Sequence, residues 1–220
     1  MRTLVLNGWA AGREAWDLCT FDHDWVFSYL EQLDGLPERV IESFEAVTLV
    51  GWSMGGSGAL RLALAYPEKV RALVLVAATP RMMAEPETGW KGLSPRRLQA
   101  LRLGTRLAFA GDPGAVYDEA AMERGLAYLE ATDLRAALAA RTWSIPVAIL
   151  QSERDGIVQP QNAAFLHGIF PGSTVRMIPG GEHALPVTAP EAIDAAVAEV
   201  QMAIGGSTYK FLPEGARKMV

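Results

Sequence analysis

The stretch Ala46-Val47-Thr48-Leu49-Val50-Gly51-Trp52-Ser53-Met54-Gly55 carries the strongest fold signal in the chain. Its first five residues predict a buried parallel strand, and the small and apolar residues 56–65 predict a helix packed closely on a sheet. A serine between two glycines at such a turn is typical of a nucleophile, because the turn lifts the hydroxyl above the sheet edge. The turn also directs the N–H of Met54 towards a developing oxyanion. A tight strand–helix turn without chemistry is the alternative interpretation.

Length and composition indicate one soluble globular domain. The chain has 220 residues, of which 50% are hydrophobic and 20% charged, and its net charge of −5 argues against a nucleic-acid-binding protein. No apolar run reaches the roughly 18 residues that span a bilayer, so we expect no membrane helix. The N-terminus lacks the long apolar core of a signal peptide, and the single Cys19 excludes an intrachain disulfide. These features favour the cytoplasm.

Apolar runs alternate with helical patterns along most of the chain. Five runs predict buried parallel strands: residues 3–6, 46–50, 72–77, 147–151 and 174–178. Helices are expected near residues 26–33, 56–66, 160–170 and 190–203. Strands alternating with helices predict an α/β fold with a mostly parallel, doubly wound sheet.

Residues 79–143 interrupt the alternation with helical patches at 95–109, 115–130 and 134–141. A helical insertion after a sheet strand would lie across the carboxyl edge of the strands, where open α/β sheets bind ligands. We therefore expect a short helical lid within a domain of residues 1–204. Residues 205–220 are expected to form a loosely held tail.

A serine nucleophile needs a base within hydrogen-bond reach. The chain has three histidines, and His183 alone lies in a loop directly after a predicted strand, 174–178. His23 lies in an acidic turn that we expect to be exposed, and His167 lies within a predicted helix. We therefore predict that His183 is the base, with an ordinary loop histidine as the alternative.

The base needs an orienting carboxylate, which should follow another strand end. Asp155 follows the strand 147–151, and the adjacent Gly156 and apolar residues favour a turn that directs it inward. Glu153 is the nearby competitor. The resulting order of serine, aspartate and histidine along the chain is that of the α/β-hydrolases.

The loop after the first strand, Asn7-Gly8-Trp9-Ala10, should supply a second oxyanion donor. Gly8 allows the backbone to approach closely, so the N–H of Trp9 can face the same oxyanion as that of Met54. In the alternative interpretation Trp9 is a core aromatic residue.

Other chemistries have weaker support. Cys19 is the rival nucleophile, but it has no surrounding motif and no local base, so a buried or incidental thiol is favoured. The scattered histidines and single cysteine give no metal-ligand spacing, and no phosphate-binding glycine motif occurs. We expect no metal and no cofactor.

Several motifs resemble those of one enzyme family: Asn7-Gly8-Trp9, Gly51-Trp52-Ser53-Met54-Gly55-Gly56, Trp90-Lys91-Gly92-Leu93-Ser94-Pro95, Asp155-Gly156-Ile157-Val158 and Glu182-His183-Ala184. The first resembles a His-Gly-Trp loop and the second a Gly-Trp-Ser-Leu-Gly-Gly elbow. Together they resemble the α/β-hydrolase superfamily over most of residues 3–203. Within it they resemble the pimeloyl-acyl carrier protein methyl ester esterases of biotin synthesis. The chain departs from that family at Asn7, in a shortened segment between Trp16 and Ala46, and in a shorter lid.

The resemblance implies a serine carboxylesterase whose lid arginines meet phosphopantetheine and an acidic carrier protein. Residues 88–111 contain five basic residues and no acidic one, so this run is either a docking patch or a solvated helix face. The candidate substrate contacts are Trp9, Arg96, Arg97, Arg102, Arg106 and Phe109.

The substrate is accordingly expected to be a small-molecule or carrier-bound ester. A general short-chain carboxylesterase, a lactonase and a C–C hydrolase remain alternatives on the same three residues. A ligand receptor or scaffold with a hydrolase-like fold is the non-enzymatic alternative.

Overall fold

The computed structural model describes residues 1–109 and 119–205, without the side chains of residues 105–109. A six-stranded sheet forms its centre, and every neighbouring pair of strands in it is parallel. The strands are β1 (Arg2–Leu6), β2 (Trp25–Phe27), β3 (Val47–Trp52), β4 (Val70–Val76), β5 (Val147–Ser152) and β6 (Thr174–Ile178). Their order across the sheet is β2-β1-β3-β4-β5-β6. The predicted α/β architecture is therefore confirmed.

Helices cover both faces of this sheet. They are α1 (Tyr29–Leu33), α2 (Leu36–Glu42), α3 (Met54–Ala65), α4 (Pro95–Phe109), α5 (Glu119–Ala131), α6 (Arg135–Ala139), α7 (Gln161–Ile169), α8 (Leu185–Thr188) and α9 (Pro190–Ala203), with a 3-10 helix at Arg13–Trp16. Alternate strand residues supply two separate cores. On one face Leu49 packs in a cluster with residues of α3 and α7, and on the other Val50 packs in a cluster with α9.

Two details of the sheet differ from the prediction. The sequence predicts a helix near residues 26–33, but Val26 pairs with Val5 in the unpredicted strand β2. The helix begins only after Ser28, whose hydroxyl accepts from the N–H of Glu31 while the Glu31 carboxylate accepts from the N–H of Ser28. This reciprocal capping box fixes the start of α1.

The strand predicted to be buried at residues 174–178 exists as β6, but that expectation of burial was wrong. Because β6 is the last strand of the sheet, it has one neighbour, and Val175 and Met177 are 39% and 40% exposed. An apolar run cannot distinguish an edge strand from a central one.

The segment between β4 and β5 contains α4, α5 and α6. Its described residues form no strand, only isolated bridges such as the one between Met83 and Leu93. A third apolar cluster joins this segment to the sheet edge, because Leu98 and Leu126 pack with Met54 and Val158. Among residues 1–109 and 119–205, no helix has the length and apolar character needed to cross a membrane.

Candidate active site

Ser53 occupies a sharp turn between β3 and α3, with φ 56° and ψ −117°. This conformation is rare for a residue with a side chain and stores strain of about 1–3 kcal/mol, as is common at functional sites. The flanking glycines are required by space. A Cβ on Gly51 would lie 2.8 Å from the Cα of Gly56, and one on Gly55 would lie 2.7 Å from the carbonyl oxygen of Asn7. The close approach at Gly55 brings the loop after β1 beside the first turn of α3.

Ser53, His183 and Asp155 form a continuous hydrogen-bonded chain. Nε2 of His183 lies 2.8 Å from Oγ of Ser53, and Nδ1 lies 2.8 Å from Oδ2 of Asp155. A carboxylate only accepts hydrogen bonds, so Nδ1 carries the proton and the unprotonated Nε2 accepts from the serine hydroxyl. This tautomer allows the imidazole to take the serine proton.

The carboxylate of Asp155 is held rigidly by its own loop. Its side chain is fully buried, and Oδ1 accepts from the backbone N–H groups of Ile157 and Val158 at 2.8 and 2.9 Å. Oδ2 is thereby turned towards His183. The competing Glu153 is exposed, and its backbone N–H donates to the carbonyl of Ile178.

The N–H groups of Met54 and Trp9 are the two predicted oxyanion donors. Met54 is the first residue of α3, and Trp9 lies in the loop that Gly55 approaches. Neither N–H has a hydrogen-bond partner among the residues that the structure describes. The positive end of the α3 dipole adds to the attraction for an anion at this point.

The side chain of Asn7 organises the loop that contains Trp9. Asn7 is fully buried, and its Nδ2 donates to the carbonyls of Ala11, at 3.2 Å, and Gly12. Its Oδ1 accepts from the N–H of Gly8 and from Nε1 of Trp16, both at 3.1 Å. A short polar side chain therefore replaces the histidine that the resemblance leads one to expect here, with all of its hydrogen-bonding groups in use.

The side chain of Trp9 contacts the segment between β4 and β5. Its Nε1 donates to the carbonyl of Met122 at 3.2 Å, and the indole leaves no room for a Cβ on Gly125, which would lie 2.6 Å from Cδ1. The loop after β1 is thus joined directly to α5.

The basic residues of the 88–111 run have different environments. Lys91, Arg96 and Arg97 are exposed and form no ion pair within the described part of the chain. Arg102 instead pairs with Glu123 of α5. The side chains of Arg106 and Phe109, the remaining candidates, lie outside the described residues.

Lys91 and Arg97 border a cleft of about 360 Å³ that Trp90 and Gln159 also line. Arg97 reaches the loop of Asp155, because a Cβ on Gly156 would lie 3.8 Å from Nη2 of Arg97. The positive charge of Arg97 therefore lies beside the acid loop.

His23, His167 and Cys19 form no hydrogen bond with the Ser53–His183–Asp155 chain among the described residues. A groove of about 870 Å³ beside the edge strand β2 is lined by Cys19 and His23 but by no residue of the Ser53–His183–Asp155 chain. His167 of α7 bonds to Ser173 through Nδ1 at 2.9 Å. Burial, with smaller contributions from two nearby carboxylates, raises the pKa of Cys19 to about 12. Such a thiol is poorly activated. No cluster of metal-ligating side chains occurs among the described residues.

Sequence patterns did not reveal two supporting side chains. Trp52 donates from Nε1 to the carbonyl of His183 at 2.9 Å, and Gln151 donates from Nε2 to Oδ2 of Asp155 at 3.2 Å. A buried glutamine near the end of an otherwise apolar strand was the one available signal, since buried polar groups require partners. Trp52 and His183 are 131 positions apart in the sequence, and no local pattern predicts their contact.

Known proteins resemble this chain in sequence and in fold. A family model described as the alpha/beta hydrolase fold matches residues 17–144. Among curated proteins, the chain is 30% identical over 177 residues to the pimeloyl-[acyl-carrier protein] methyl ester esterase of Yersinia enterocolitica, covering 68% of this chain and 67% of that one. It is 28% identical over 236 residues to the protein of the same name from Salmonella paratyphi A, covering 86% and 89%.

Solved structures share the fold at lower identity. An esterase from Exiguobacterium antarcticum has a TM-score of 0.72 at 18% identity, with 91% of this chain and 92% of that chain covered. A bromoperoxidase from Bacillus anthracis has a TM-score of 0.71 at 21% identity, with 91% of both chains covered.

Proposed function

Because the chain belongs to the α/β-hydrolase family, we propose that it is a serine carboxylesterase that works through Ser53, His183 and Asp155. The observation that supports this most directly is the position of His183, which lies 2.8 Å from both Ser53 Oγ and Asp155 Oδ2. A base that contacts a strained serine and a buried carboxylate at once is the arrangement that acyl transfer requires.

The first half of the reaction acylates the serine. Oγ of Ser53 attacks the ester carbonyl carbon while its proton moves to Nε2 of His183, and Asp155 stabilises the imidazolium. The carbonyl oxygen becomes an oxyanion that accepts from the N–H groups of Trp9 and Met54. The imidazolium then gives its proton to the leaving alkoxide, the C–O bond breaks, and an acyl-enzyme remains.

The second half returns the free enzyme. Water gives a proton to His183 and attacks the acyl carbon through the same oxyanion geometry. The bond to Oγ breaks, Ser53 regains its proton from His183, and the carboxylic acid leaves.

For the substrate we propose the methyl ester of pimeloyl-acyl carrier protein. Both curated relatives bear the name of that activity, at 28–30% identity. Lys91, Arg96 and Arg97 form no ion pair with residues 1–109 or 119–205, and they would attract an acidic carrier protein and the phosphate of its prosthetic group. Residues 79–143 would act as the lid over the acyl chain, which the apolar cluster around Leu98 and Leu126 suits.

The decisive experiment combines active-site labelling with substrate comparison. We expect a fluorophosphonate probe to label Ser53 and p-nitrophenyl esters to be hydrolysed, and both to be lost in Ser53→Ala but retained in Ser43→Ala, which changes an exposed serine. Absence of labelling and turnover in the wild type would contradict the esterase and favour a ligand receptor.

The substrate is tested separately by comparing methyl pimeloyl-carrier protein with dimethyl pimelate. Preference for the carrier-bound ester, together with restored biotin-independent growth in a strain lacking the methyl ester esterase, is the expected result. Hydrolysis of small esters alone would restrict the function to a general carboxylesterase. A preference for lactones would indicate a lactonase.

A further inference from the structure

Gln151 places a neutral amide in direct contact with the carboxylate that orients the base. It is the last but one residue of β5 and is only 1% exposed. Its Nε2 lies 3.2 Å from Oδ2 of Asp155, 3.2 Å from the carbonyl oxygen of Val158 and 3.4 Å from that of Ser152.

The chemistry of these neighbours fixes the orientation of the amide. The carboxylate of Asp155 and the carbonyls of Val158 and Ser152 can only accept hydrogen bonds. A flipped amide would place Oε1 against these acceptors in a buried site, which is costly. The NH₂ group therefore faces Asp155, with one hydrogen directed to Oδ2 and the other shared by the carbonyls.

Oδ2 of Asp155 consequently has two donors, Nδ1 of His183 at 2.8 Å and Nε2 of Gln151 at 3.2 Å. Oδ1 has two more, the backbone N–H groups of Ile157 and Val158. Four donors around one carboxylate fix its rotation about the Cβ–Cγ bond. The Gln151 amide is the one side-chain donor among them besides the imidazole itself.

We infer that Gln151 is a positioning residue that holds Asp155 Oδ2 in line with His183 and moderates the negative charge that the imidazole experiences. This inference rests on the proposed function, because it assigns Gln151 a role in that same reaction. Outer-sphere donors of this kind set the orientation and basicity of the group that they contact.

Several charged side chains lie near Gln151 and Asp155 and could also influence the pH dependence of activity. Arg97 of α4 reaches Gly156 in the acid loop. The exposed titratable or charged residues on the acid and base loops are Glu153, Arg154 and Glu182. None of them hydrogen-bonds to Gln151 or to the Asp155 side chain within the described residues. A change at Gln151 therefore acts on Asp155 directly.

Two variants test the inference, with kcat and KM for a p-nitrophenyl ester measured from pH 5 to pH 9. Gln151→Leu keeps the volume but removes the donor. We expect kcat to fall about tenfold, the effect of one hydrogen bond to a charged group, with KM unchanged. Gln151→Glu places a second carboxyl group beside Asp155. The two carboxyl groups share a proton at low pH, and the second negative charge that forms when this proton is lost favours the protonated imidazole. We expect the acid limb of its pH–rate profile to move upward by about one pH unit.

Gln201→Leu provides the matched control, because Gln201 donates from Nε2 to Thr3 near the opposite edge of the sheet. It should leave kcat and the pH profile unchanged. Thermal unfolding and fluorophosphonate labelling of each variant report whether it is folded.

The outcomes separate this inference from the proposed function. A shifted acid limb in Gln151→Glu with an unchanged KM supports it, even where Gln151→Leu folds poorly. A folded, active set of variants with the wild-type pH profile overturns the role of Gln151 alone. A wild type that is neither labelled nor active overturns both.

Discussion

The indole nitrogen of Trp52 donates a hydrogen bond to the backbone carbonyl of His183 at 2.9 Å, and the two rings lie 5.8 Å apart. Trp52 directly precedes Ser53, so the turn that presents the hydroxyl also holds the loop of the base. The indole also packs closely against Gly8, because a Cβ on Gly8 would lie 3.2 Å from its Cε3 atom. One side chain thereby connects the serine turn, the base loop and the loop after β1.

Trp52→Phe should lower kcat several-fold with little change in KM. Phenylalanine keeps the aromatic contact with His183 but removes the N–H donor, so the base loop gains freedom while substrate binding is untouched. Trp143→Phe is the matched control. Trp143 is also 9% exposed and donates to a backbone carbonyl, that of Leu138 at 3.0 Å, but lies in the core of the opposite face. Equal losses of kcat in both variants would show a general packing effect.

Asn7→Leu should reduce kcat more strongly than Asn7→Asp. Leucine leaves the N–H groups of Gly8 and Trp16 without an acceptor, whereas aspartate retains that acceptor and, in its protonated form, a donor towards the carbonyls of Ala11 and Gly12. Because the loop carries the Trp9 N–H, its distortion should cost up to the roughly 2.7–4 kcal/mol of a lost oxyanion donor. Steady-state kinetics on a p-nitrophenyl ester measure this.

The control for the Asn7 series is Asn162→Asp. Asn162 is also buried and its Nδ2 donates to the carbonyl of Gln159 at 2.8 Å. Its change should affect unfolding more than kcat. The role of Asn7 would be refuted by variants that lose stability but keep the wild-type kcat.

The proximity of Ser53, His183 and Asp155 could be predicted from the sequence, because the carboxyl ends of parallel strands lie at one edge of the sheet. Each of the three follows a strand that apolar runs predicted. The order of serine, aspartate and histidine along the chain and the glycines beside Ser53 and Asp155 then favoured these three residues over other candidates. Their catalytic roles remain a proposal.

Contacts between residues that are distant in sequence could not be predicted in this way. Strand β2 has three residues, too few for a periodic pattern, and the sequence predicts a helix from about Val26 onwards. The sequence also did not predict the ion pair of Arg102, because its partner Glu123 lies in another helix. Likewise, the hydrogen bond from Trp52 to His183 joins two segments that are distant in sequence, and local sequence patterns do not predict such a contact.

The strain at Ser53 predicts an unusual order of stabilities. Ser53→Gly should have a free energy of unfolding about 1–2 kcal/mol higher than that of Ser53→Ala, because glycine adopts the φ of 56° without penalty. Urea denaturation followed by circular dichroism measures the difference. At Ser43, with φ −79°, the same pair should show no advantage for glycine. An alanine variant as stable as the glycine variant would contradict the strain.

Cys19 should be chemically inert in the folded protein. With its pKa raised from 9.0 to about 12, chiefly by burial, its thiolate fraction at pH 8 is roughly a thousandfold lower than that of an ordinary thiol. Iodoacetamide should therefore label it slowly in the native state and rapidly in urea, as mass spectrometry can follow. Cys19→Ser should keep full esterase activity. Rapid native labelling with loss of activity would revive the thiol as a nucleophile.

The base of the segment between β4 and β5 is held by an ionic contact whose strength should depend on pH. Arg135 donates to Asp133 at 2.7 Å and lies over the ring of Trp90, with its Cζ 4.9 Å from the centroid. The hydrogen bond from the Arg135 side chain lowers the pKa of Asp133 from 3.8 to about 2. A carboxylate with a lowered pKa stabilises the fold above its unfolded pKa, and that stabilisation is lost as the pH falls through the folded value.

Asp133→Asn should therefore lower the free energy of unfolding by about 1 kcal/mol at pH 7, a figure reduced for solvent screening at a side chain that is 33% exposed. The difference from the wild type should shrink as the pH falls from about 4 to 2, because the wild-type carboxyl becomes protonated over that window. Asp34→Asn is the matched control. Its partner Arg124 and Asp34 itself are 54% and 58% exposed, so its effect should stay within about 0.5 kcal/mol. Urea titrations at pH 7, 4 and 2.5 measure both variants, and a constant difference for Asp133→Asn across this range would disprove the ionic contribution.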